Sequence, residues 1–435
     1  MRLLSRLLAE RSLISGERAA PFPSIHFIAI GNERMKPSRY NFWATFNPDQ
    51  HLLFNGISGA LYELTSQEKD TVLKILSAPG GRDFLAESEM QQSLVDGGFL
   101  IPGHVDEIYL LTKQARAACA PHEILELFLV PTYECNFRCK YCYVNFKTGV
   151  MSREVERRIV KYFERVLPQY RQVNVTWFGG EPLLRLETVM RVSTKMTELA
   201  SEHQTQLYSM VSTNGYLLSR EAVRELFKAG IRFFHLTIDG PAVYHDQRRP
   251  LSSGRPTYER VKENLNNVLR EIEESRITLR MNADDSSVDS FYQVLDDVPP
   301  AYRHRIQVNI TPILVGDRSP SLELYRRINL VLRCALRSGF LYYDNQIPLG
   351  RKTFCQADKS GNLQIGPEWT LYKCSPGKDK QGVEVGGLDA EGVAHFTQAK
   401  ALGWFIQARP TQWSRTSSSG CVKMARLRKT LARIF

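Results

Sequence analysis

The segment PTYECNFRCKYCYV, residues 131–144, follows the apolar stretch ILELFLV (124–130) and carries three cysteines in a C-x3-C-x2-C pattern. The three thiols belong to Cys135, Cys139 and Cys142. Iron–sulfur clusters are held by cysteine thiolates, usually four of them. A loop that offers three thiolates therefore predicts a 4Fe-4S cluster in which one iron has no protein ligand and is open to a small molecule.

Zinc is an alternative occupant of this loop, because zinc also binds clustered thiolates. A structural zinc site takes four ligands, usually as two pairs, and no fourth Cys or His follows nearby, since the next histidine is His203. The cysteines could also be small buried residues of an apolar core. Their close spacing beside two aromatic residues favours a metal centre over that third interpretation.

Five further motifs follow the cysteine loop. They are WFGGEPLL (177–184), STNG (212–215), LTIDGP (236–241), HDQRR (245–249) and LRMN (279–282). In this order and at these intervals, the region resembles the radical SAM enzymes. In that family the open iron binds the amino and carboxylate groups of S-adenosylmethionine. One electron, from a donor such as a flavodoxin or ferredoxin, then yields methionine and a 5'-deoxyadenosyl radical that abstracts hydrogen from the substrate.

The resemblance implies contacts to S-adenosylmethionine by motif position. The implied set is Gly179, Gly180 and Glu181 for the methionine amino group, Ser212 and Asn214 for the ribose, Arg280 and Asn282 for the carboxylate side, and Tyr141 for the adenine. Glycines let a backbone approach a ligand closely, a carboxylate accepts from an ammonium, and an arginine offers a fork to a carboxylate. Each motif alone also fits a turn or a surface pair.

Strand-like and helical patterns alternate between residues 124 and 313. VNVTWF (173–178), QLYSMVS (206–212), IRFFHLTI (231–238) and RIQVNITPI (305–313) are typical strands, separated by segments with helical spacing. Such alternation forms βαβ units with a parallel sheet, whose ligands bind at the carboxyl ends of the strands. Every motif quoted above falls at such an end. We predict an α/β fold with a partial (β/α)6 TIM-like radical SAM barrel over residues 119–320.

Two flanking regions complete the predicted organisation. After an N-terminal tail (1–37), residues 38–118 show a hairpin pattern around NPDQ (47–50) and a capping box at Thr65 and Glu68, which predicts a small α+β, winged-helix-like module. It loosely resembles peptide-recognition regions of radical SAM enzymes, which add an extended peptide to a sheet edge. The alternative is a module that only stabilises the barrel.

The third region, residues 321–435, resembles a degenerate SPASM domain, the auxiliary-cluster extension of many peptide-modifying radical SAM enzymes. Cys355 and Cys374 flank a hairpin pattern, and Cys421 ends the matching C-terminal run, in which Ala408, Thr411 and Ser417 stand where the family has thiolates. The resemblance implies three ligands, Cys355, Cys374 and Cys421, for one possible auxiliary 4Fe-4S cluster. We interpret Cys119 and Cys334 as structural. Cys334 lies in an apolar helix pattern, where a thiol fills core space, and is the candidate fourth ligand if the auxiliary site needs one.

Candidate catalytic residues follow the LTIDGP strand. Asp239, His245 and Asp246 are candidates for a base or proton relay, and Arg248 for a peptide clamp; the alternative is a turn followed by a solvated loop. Sulfatase-maturing SPASM enzymes carry a general-base Asp just after the cysteine that corresponds to Cys374. Ser375 occupies that position here, and a hydroxyl is a poor base at neutral pH, so the sequence disfavours formylglycine formation by that route.

Composition narrows the class of protein. The chain has 435 residues, of which 43% are hydrophobic, with no unbroken apolar run long enough to cross a membrane, so no membrane partner is expected. Eight clustered cysteines and an N-terminus unlike a signal peptide favour a reducing cytoplasm.

The formal net charge of +11 raises an RNA-modifying enzyme as an alternative, but the basic residues are dispersed and no stacking-aromatic signature accompanies them. The sequence therefore favours a precursor peptide or protein as the substrate and partner over nucleic acid. A non-catalytic peptide-binding carrier with a decayed radical site is the other alternative, and the complete cysteine triad argues against it. The leading hypothesis is a radical SAM oxidoreductase that crosslinks or oxidises a ribosomally made peptide.

Overall fold

The computed structural model describes residues 2–3, 35–58, 60–77, 89–110, 123–142, 144, 149–313, 320–342, 361–374 and 384–397. The chain divides into two compact units. Of the described residues, those up to 110 belong to the first unit and those from 123 onward belong to the second.

The first unit combines an antiparallel sheet with two helices. Its elements are β1 (Arg2–Leu3), β2 (Met35–Pro37), β3 (Asn41–Asn47), β4 (Gln50–Asn55), β5 (Leu61–Leu64), α1 (Ser66–Ser77), α2 (Glu89–Asp96) and β6 (Leu100–Pro102). The sheet order is β1-β5-β4-β3, and β2 pairs with β6. The predicted hairpin is confirmed, since β3 and β4 pair on either side of Pro48 and Asp49. The capping box is also confirmed, because Thr65 and Glu68 exchange backbone and side-chain hydrogen bonds.

The second unit is an α/β domain built on a large, mostly parallel sheet, which confirms the predicted fold class. Its strands are β7 (Ile124–Leu129), β8 (Gln172–Trp177), β9 (Gln206–Thr213), β10 (Ile231–Thr237), β11 (Arg276–Ala283), β12 (Ile306–Pro312) and β13 (Leu341–Tyr342), then β14 (Asn362–Ile365), β15 (Thr370–Tyr372), β16 (Glu384–Leu388) and β17 (Ala394–Phe396). The order is β13-β12-β11-β10-β9-β8-β7-β14-β15-β16-β17.

Helices cross over between successive parallel strands. They are α3 (Arg153–Val166), α4 (Leu186–Glu202), α5 (Arg220–Lys228), α6 (Ala242–Arg248), α7 (Tyr258–Glu271), α8 (Phe291–Asp296), α9 (Pro300–Arg303) and α10 (Leu322–Arg337), with 3-10 turns at Leu167–Gln169, Pro182–Arg185 and Val288–Ser290. Serine side chains start several of them. The hydroxyl of Ser152 accepts from Val155 N, and Ser219 and Ser321 act likewise.

The polar and apolar residues of the strands alternate, which places the core on one face of the sheet. Along β10, for example, Ile231, Phe234 and Leu236 are buried against the helices. His235 and Thr237 face the other, inner side, where burial is only partial. The sheet therefore offers a partly polar inner face whose carboxyl edge carries the motif loops.

The predicted C-terminal extension adds strands to this sheet. β14 pairs in parallel with β7, and the predicted hairpin is present as the antiparallel pair β14–β15, with Cys374 two residues beyond it. One expectation about the preceding helix is wrong. Cys334 lies on α10 but is exposed rather than packed in the core, because it falls on the solvent side of the helical stripe.

No helix among the described residues combines the length and apolarity that a membrane crossing requires.

Candidate functional site

The cysteine loop (residues 131–142) and the glycine loop (residues 178–181) pack directly on one another at the carboxyl ends of β7 and β8. Gly180 N donates to Thr132 O (3.1 Å) and Glu181 N to Glu134 O (2.8 Å). A Cβ on Gly180 would overlap the Glu134 carbonyl, and Gly179 has a φ of +129° with the Thr132 carbonyl 2.5 Å from a would-be Cβ. Both glycines are therefore required for this close approach of two backbones.

Glu181 is fully buried, and its carboxylate joins the glycine loop to the carboxyl end of β9. It accepts from Leu183 N (3.1 Å), Thr213 Oγ1 (2.7 Å) and Asn214 N (2.8 Å). Burial raises its pKa, and the three donors oppose that rise. These three donors fix the position of the carboxylate between the two segments.

Asn214 brings the loop after β9 to the first cysteine. Its Nδ2 donates to Asn136 Oδ1 (2.8 Å) and lies 3.9 Å from Cys135 Sγ. Phe137 N also donates to the same sulfur (3.4 Å). Two donors thus face the Cys135 sulfur, and such hydrogen bonds tune iron–sulfur clusters. Ser212 lies on the inner face, with its hydroxyl 3.1 Å from His235 Nδ1.

Tyr141, Asp239 and Asn282 form a buried hydrogen-bonded network. Asp239 Oδ1 accepts from Asn282 N (2.8 Å) and Nδ2 (3.0 Å), and Asp239 Oδ2 accepts a short bond from the Tyr141 hydroxyl. Arg280 Nε donates to Asn282 Oδ1 (3.1 Å). Burial, foremost, raises the pKa of Tyr141 well above its usual value, so the hydroxyl stays protonated and donates. The structure therefore brings Tyr141, Asn282 and Arg280 together, with Asp239 joining their loops.

Arg249 is a central residue that the sequence reasoning missed. It is 7% exposed, donates from Nη1 to the Tyr141 hydroxyl (2.7 Å) and lies 4.0 Å from Asp239 Oδ2. Arg249 is the last residue of the HDQRR motif, but nothing in the sequence distinguishes its role from that of the neighbouring Arg248. Arg248, the predicted peptide clamp, instead binds Asp284 and Ser287.

Two of the predicted catalytic residues, His245 and Asp246, accept hydrogen bonds from backbone N–H groups of the surrounding fold. His245 is completely buried on α6, where its Nδ1 accepts from Asp239 N (3.2 Å). Asp246 accepts from Thr257 N (2.7 Å) and Tyr258 N (2.8 Å) and so caps α7. These contacts favour the structural alternative for both residues, although α6 is a helix rather than the expected solvated loop.

His235, on the inner face of β10, is a further residue that the sequence reasoning missed. Its Nδ1 lies 3.1 Å from the hydroxyl of Ser212. Burial, helped by the charges of Arg280 and Arg249, lowers the pKa of His235 from 6.5 to about 4. At neutral pH the inner face therefore carries a neutral imidazole. Only its place between Phe233 and Thr237 in the strand alternation could have identified it.

We expect the folding stability to fall as the pH drops from 6.5 to 4. In this window the unfolded imidazole binds a proton that His235 in the folded chain does not, so acid favours the unfolded state. The expected loss attributable to His235 is about 2 kcal/mol. The free energy of unfolding, measured with urea at several pH values in this range, should depend less steeply on pH in His235→Gln than in the wild type. The exposed-site control His203→Gln should keep the wild-type slope, and equal slopes in all three proteins would contradict the assignment.

The three thiols are partly buried and fit a cluster ligand set. Burial raises the pKa of Cys135 to about 12 and raises that of Cys139, so in the chain alone these thiols are protonated. Among the described residues, no three His, Cys, Asp or Glu side chains are close enough to share a single metal ion. The surrounding donors, Phe137 N, Asn214 and Arg249, suit a larger anionic group held by the loop. Cys355 and Cys421 lie outside the described residues, whereas Cys374 is partly buried beyond β15.

Comparison with known proteins agrees with this site. Residues 129–295 match the sequence profile of the Radical SAM superfamily. Residues 129–295 of this chain therefore form a radical SAM domain. The radical SAM family uses a 4Fe-4S cluster and S-adenosylmethionine. The predicted family and cofactors are confirmed at this level.

Two curated relatives illustrate the similarity. The serine-type anaerobic sulfatase-maturating enzyme of Bacteroides thetaiotaomicron is 31% identical over 142 residues, which are 30% of this chain and 33% of the relative. The radical SAM cyclopropyl synthase TigE of Paramaledivibacter caminithermalis is 22% identical over 226 residues, which are 44% of this chain and 46% of the relative. The chain thus matches between a third and a half of the length of these relatives.

Solved structures share the fold. The structure of native anSMEcpe with bound AdoMet has a TM-score of 0.53 and 18% identity, with 67% of this chain and 86% of that chain covered. The structure of native anSMEcpe with AdoMet and the Cp18Cys peptide has a TM-score of 0.52 at the same identity, with 68% and 86% covered.

Proposed function

We propose that this chain is a radical SAM enzyme that crosslinks or oxidises a ribosomally made precursor peptide or protein. The observation that carries the proposal is the convergence of the cysteine loop, the glycine loop and Asn214, with Asn214 Nδ2 3.9 Å from the sulfur of Cys135. A sulfatase-maturating enzyme acts on a protein, and the anSMEcpe structures include one with a bound peptide, which supports a peptide substrate here.

In this proposal the cluster and S-adenosylmethionine, when bound, supply the radical that abstracts hydrogen from the substrate. Cys135, Cys139 and Cys142 hold the cluster. The glycine loop packs against the cysteine loop that would hold it, because residues 179 and 180 carry no side chain. Tyr141 presents a protonated hydroxyl oriented by Asp239, and Asn282 and Arg280 stand beside it on β11. These residues would orient S-adenosylmethionine by hydrogen bonds and would not exchange protons with it.

The inner face of the sheet is the proposed substrate surface. It carries polar side chains on neighbouring strands at matching heights: Ser212 and His235 on β9 and β10, and Thr278 and Gln307 on β11 and β12. Such a row can hydrogen-bond a peptide backbone. We keep formylglycine formation out of the proposal, since Ser375 stands in place of the general-base Asp; Ser375 lies outside the described residues.

An electron donor and a peptide-recognition region complete the proposal. A one-electron donor such as a flavodoxin or ferredoxin would reduce the cluster, and a reducing cytoplasm would keep the eight cysteines available. The module over residues 38–110 is the proposed peptide-recognition region, because an extended peptide can add to an antiparallel sheet edge.

Co-expression with a short peptide encoded beside this gene tests the function. We expect mass spectrometry to show a peptide lighter by two hydrogens, the signature of a crosslink or an oxidation. The matched control is Cys139→Ser, which should leave the peptide mass unchanged. An unmodified peptide from a cluster-loaded enzyme that does produce 5'-deoxyadenosine would contradict the choice of that peptide, and tight, salt-steep binding of bulk tRNA would favour the RNA alternative.

The auxiliary cluster remains a prediction that iron counting tests. Protein reconstituted without oxygen should hold about eight irons per chain if Cys355, Cys374 and Cys421 bind a second cluster, and about four if they do not. In the first case we expect Cys374→Ser to reduce the count by about four. An unchanged count of about four in both proteins would remove the auxiliary cluster from the account.

A further inference from the structure

A short segment between α6 and α7 clamps the cysteine loop from the side. Arg138 N donates to Pro250 O (2.9 Å), Lys140 N to Arg248 O (3.0 Å), and Ser252 N to Asn136 O (2.7 Å). Phe137 and Leu251 form the β-bridge between the two segments. Residues 248–252 thus run antiparallel to residues 136–140, with Arg249 fixed against the loop that carries Cys139.

The guanidinium of Arg249 is a buried charge with incomplete compensation. Nη1 reaches the Tyr141 hydroxyl, which is neutral, and the nearest carboxylate oxygen is 4.0 Å away on Asp239. Its Nε is sealed from solvent and has no hydrogen-bond partner among the described residues. A buried charge with an unused donor is costly unless a negative group faces it.

The cysteine loop supplies such a group. The guanidinium reaches this loop directly, because its Nη1 donates to the hydroxyl of Tyr141 (2.7 Å), and Tyr141 lies between Cys139 and Cys142 in the sequence. The ring of Phe137, next in the loop, lies 5.7 Å from the guanidinium carbon. An anionic cluster held by this loop would complete the compensation that Asp239 leaves unfinished.

We propose that Arg249 is a positioning residue that raises the reduction potential of the cluster held by Cys135, Cys139 and Cys142. One-electron reduction makes the cluster more negative, so a fixed cation in a buried site stabilises the reduced state. Asp239 acts in the opposite direction, since its carboxylate offsets part of the Arg249 charge. The pair sets how readily the electron donor reduces the cluster. This inference rests on the cluster and does not require a peptide substrate.

Redox titration of the reconstituted protein, followed by the EPR signal of the reduced cluster, tests the proposal. In Arg249→Gln we expect the ratio of reduced to oxidised cluster at a fixed potential to fall at least tenfold, a shift of about 59 mV to more negative potential for one electron. Arg249→Lys keeps the charge and should titrate close to the wild type. The matched control is the neighbouring Arg248→Gln, whose side chain pairs with Asp284 rather than with Tyr141 or Asp239 and which should leave the potential unchanged.

A purely structural role for Arg249 predicts a different pattern, namely lower iron content with an unchanged potential in whatever cluster remains. That result in Arg249→Gln would overturn the proposal. If Arg249→Gln holds no cluster, Arg249→Lys and Asp239→Asn decide. A near wild-type potential in the first and a more positive one in the second support the proposal, whereas an unshifted Asp239→Asn overturns it. Wild-type iron content and 5'-deoxyadenosine formation are measured in parallel, so a failure of the proposed function is seen separately.

Discussion

Replacing Cys139 by serine is expected to abolish formation of 5'-deoxyadenosine from S-adenosylmethionine. Serine cannot supply the thiolate that the cluster needs, and changes even outside the ligand shell of a metal site cost about 10–100-fold in affinity or activity. We therefore expect a loss of more than about 100-fold, together with the loss of the iron and sulfide bound at this loop. Anaerobic reconstitution, metal analysis and chromatographic detection of 5'-deoxyadenosine measure both effects.

The chain contains a suitable control for this change. Cys334 is an exposed thiol on α10. Cys334→Ser should keep full activity and the wild-type iron content. A Cys139→Ser protein that still cleaves S-adenosylmethionine at the wild-type rate would contradict the assignment of the cysteine loop. A large iron loss in Cys334→Ser would instead identify Cys334 as the fourth ligand of an auxiliary cluster.

Gly180→Ala is expected to have the next largest effect. The added methyl would overlap the carbonyl oxygen of Glu134 and stand 2.6 Å from that of Tyr133, and both belong to the backbone of the cysteine loop. Neither backbone can move alone, since Glu181 N is bonded to Glu134 O. Overpacking of this kind costs about 1–3 kcal/mol, and occasionally more. We expect a loss of about 3 kcal/mol in the free energy of unfolding and poor cluster loading.

Gly387→Ala separates this effect from the general cost of losing a glycine. Gly387 lies in β16, where the nearest atoms to a would-be Cβ belong to Trp369 at 3.7 Å, an ordinary contact. The free energy of unfolding of Gly387→Ala should lie within about 1 kcal/mol of the wild-type value. Urea unfolding and iron content are measured for both variants. If Gly180→Ala matched Gly387→Ala in both properties, the close packing of the two loops would be refuted.

Most of the fold could be predicted because its signals are local. The alternation along the strands and the helical spacing of the segments between them each reflect neighbours within a few positions along the chain. Parallel strands then bring their carboxyl ends to one edge, so the motif loops had to meet there. The predicted meeting of the cysteine loop, the glycine loop and Asn214 follows from this rule.

The parts of the site that were missed depend on distant neighbours. Arg249 is important because residues 248–252 pair with residues 136–140, more than 100 positions earlier. His235 is notable only because Ser212 and the charge of Arg280 face it from adjacent strands. The role expected for Asp246 also depended on a distant partner, since its carboxylate caps α7. No periodicity within the chain encodes such pairings.

The EPR spectrum of the reduced protein, recorded before and after S-adenosylmethionine is added, tests the central claim most directly. The cluster held by three cysteines should give an iron–sulfur signal that changes on addition, because the molecule binds the iron without a protein ligand. A colourless, zinc-loaded protein without sulfide, or a cluster signal indifferent to S-adenosylmethionine, would contradict the account.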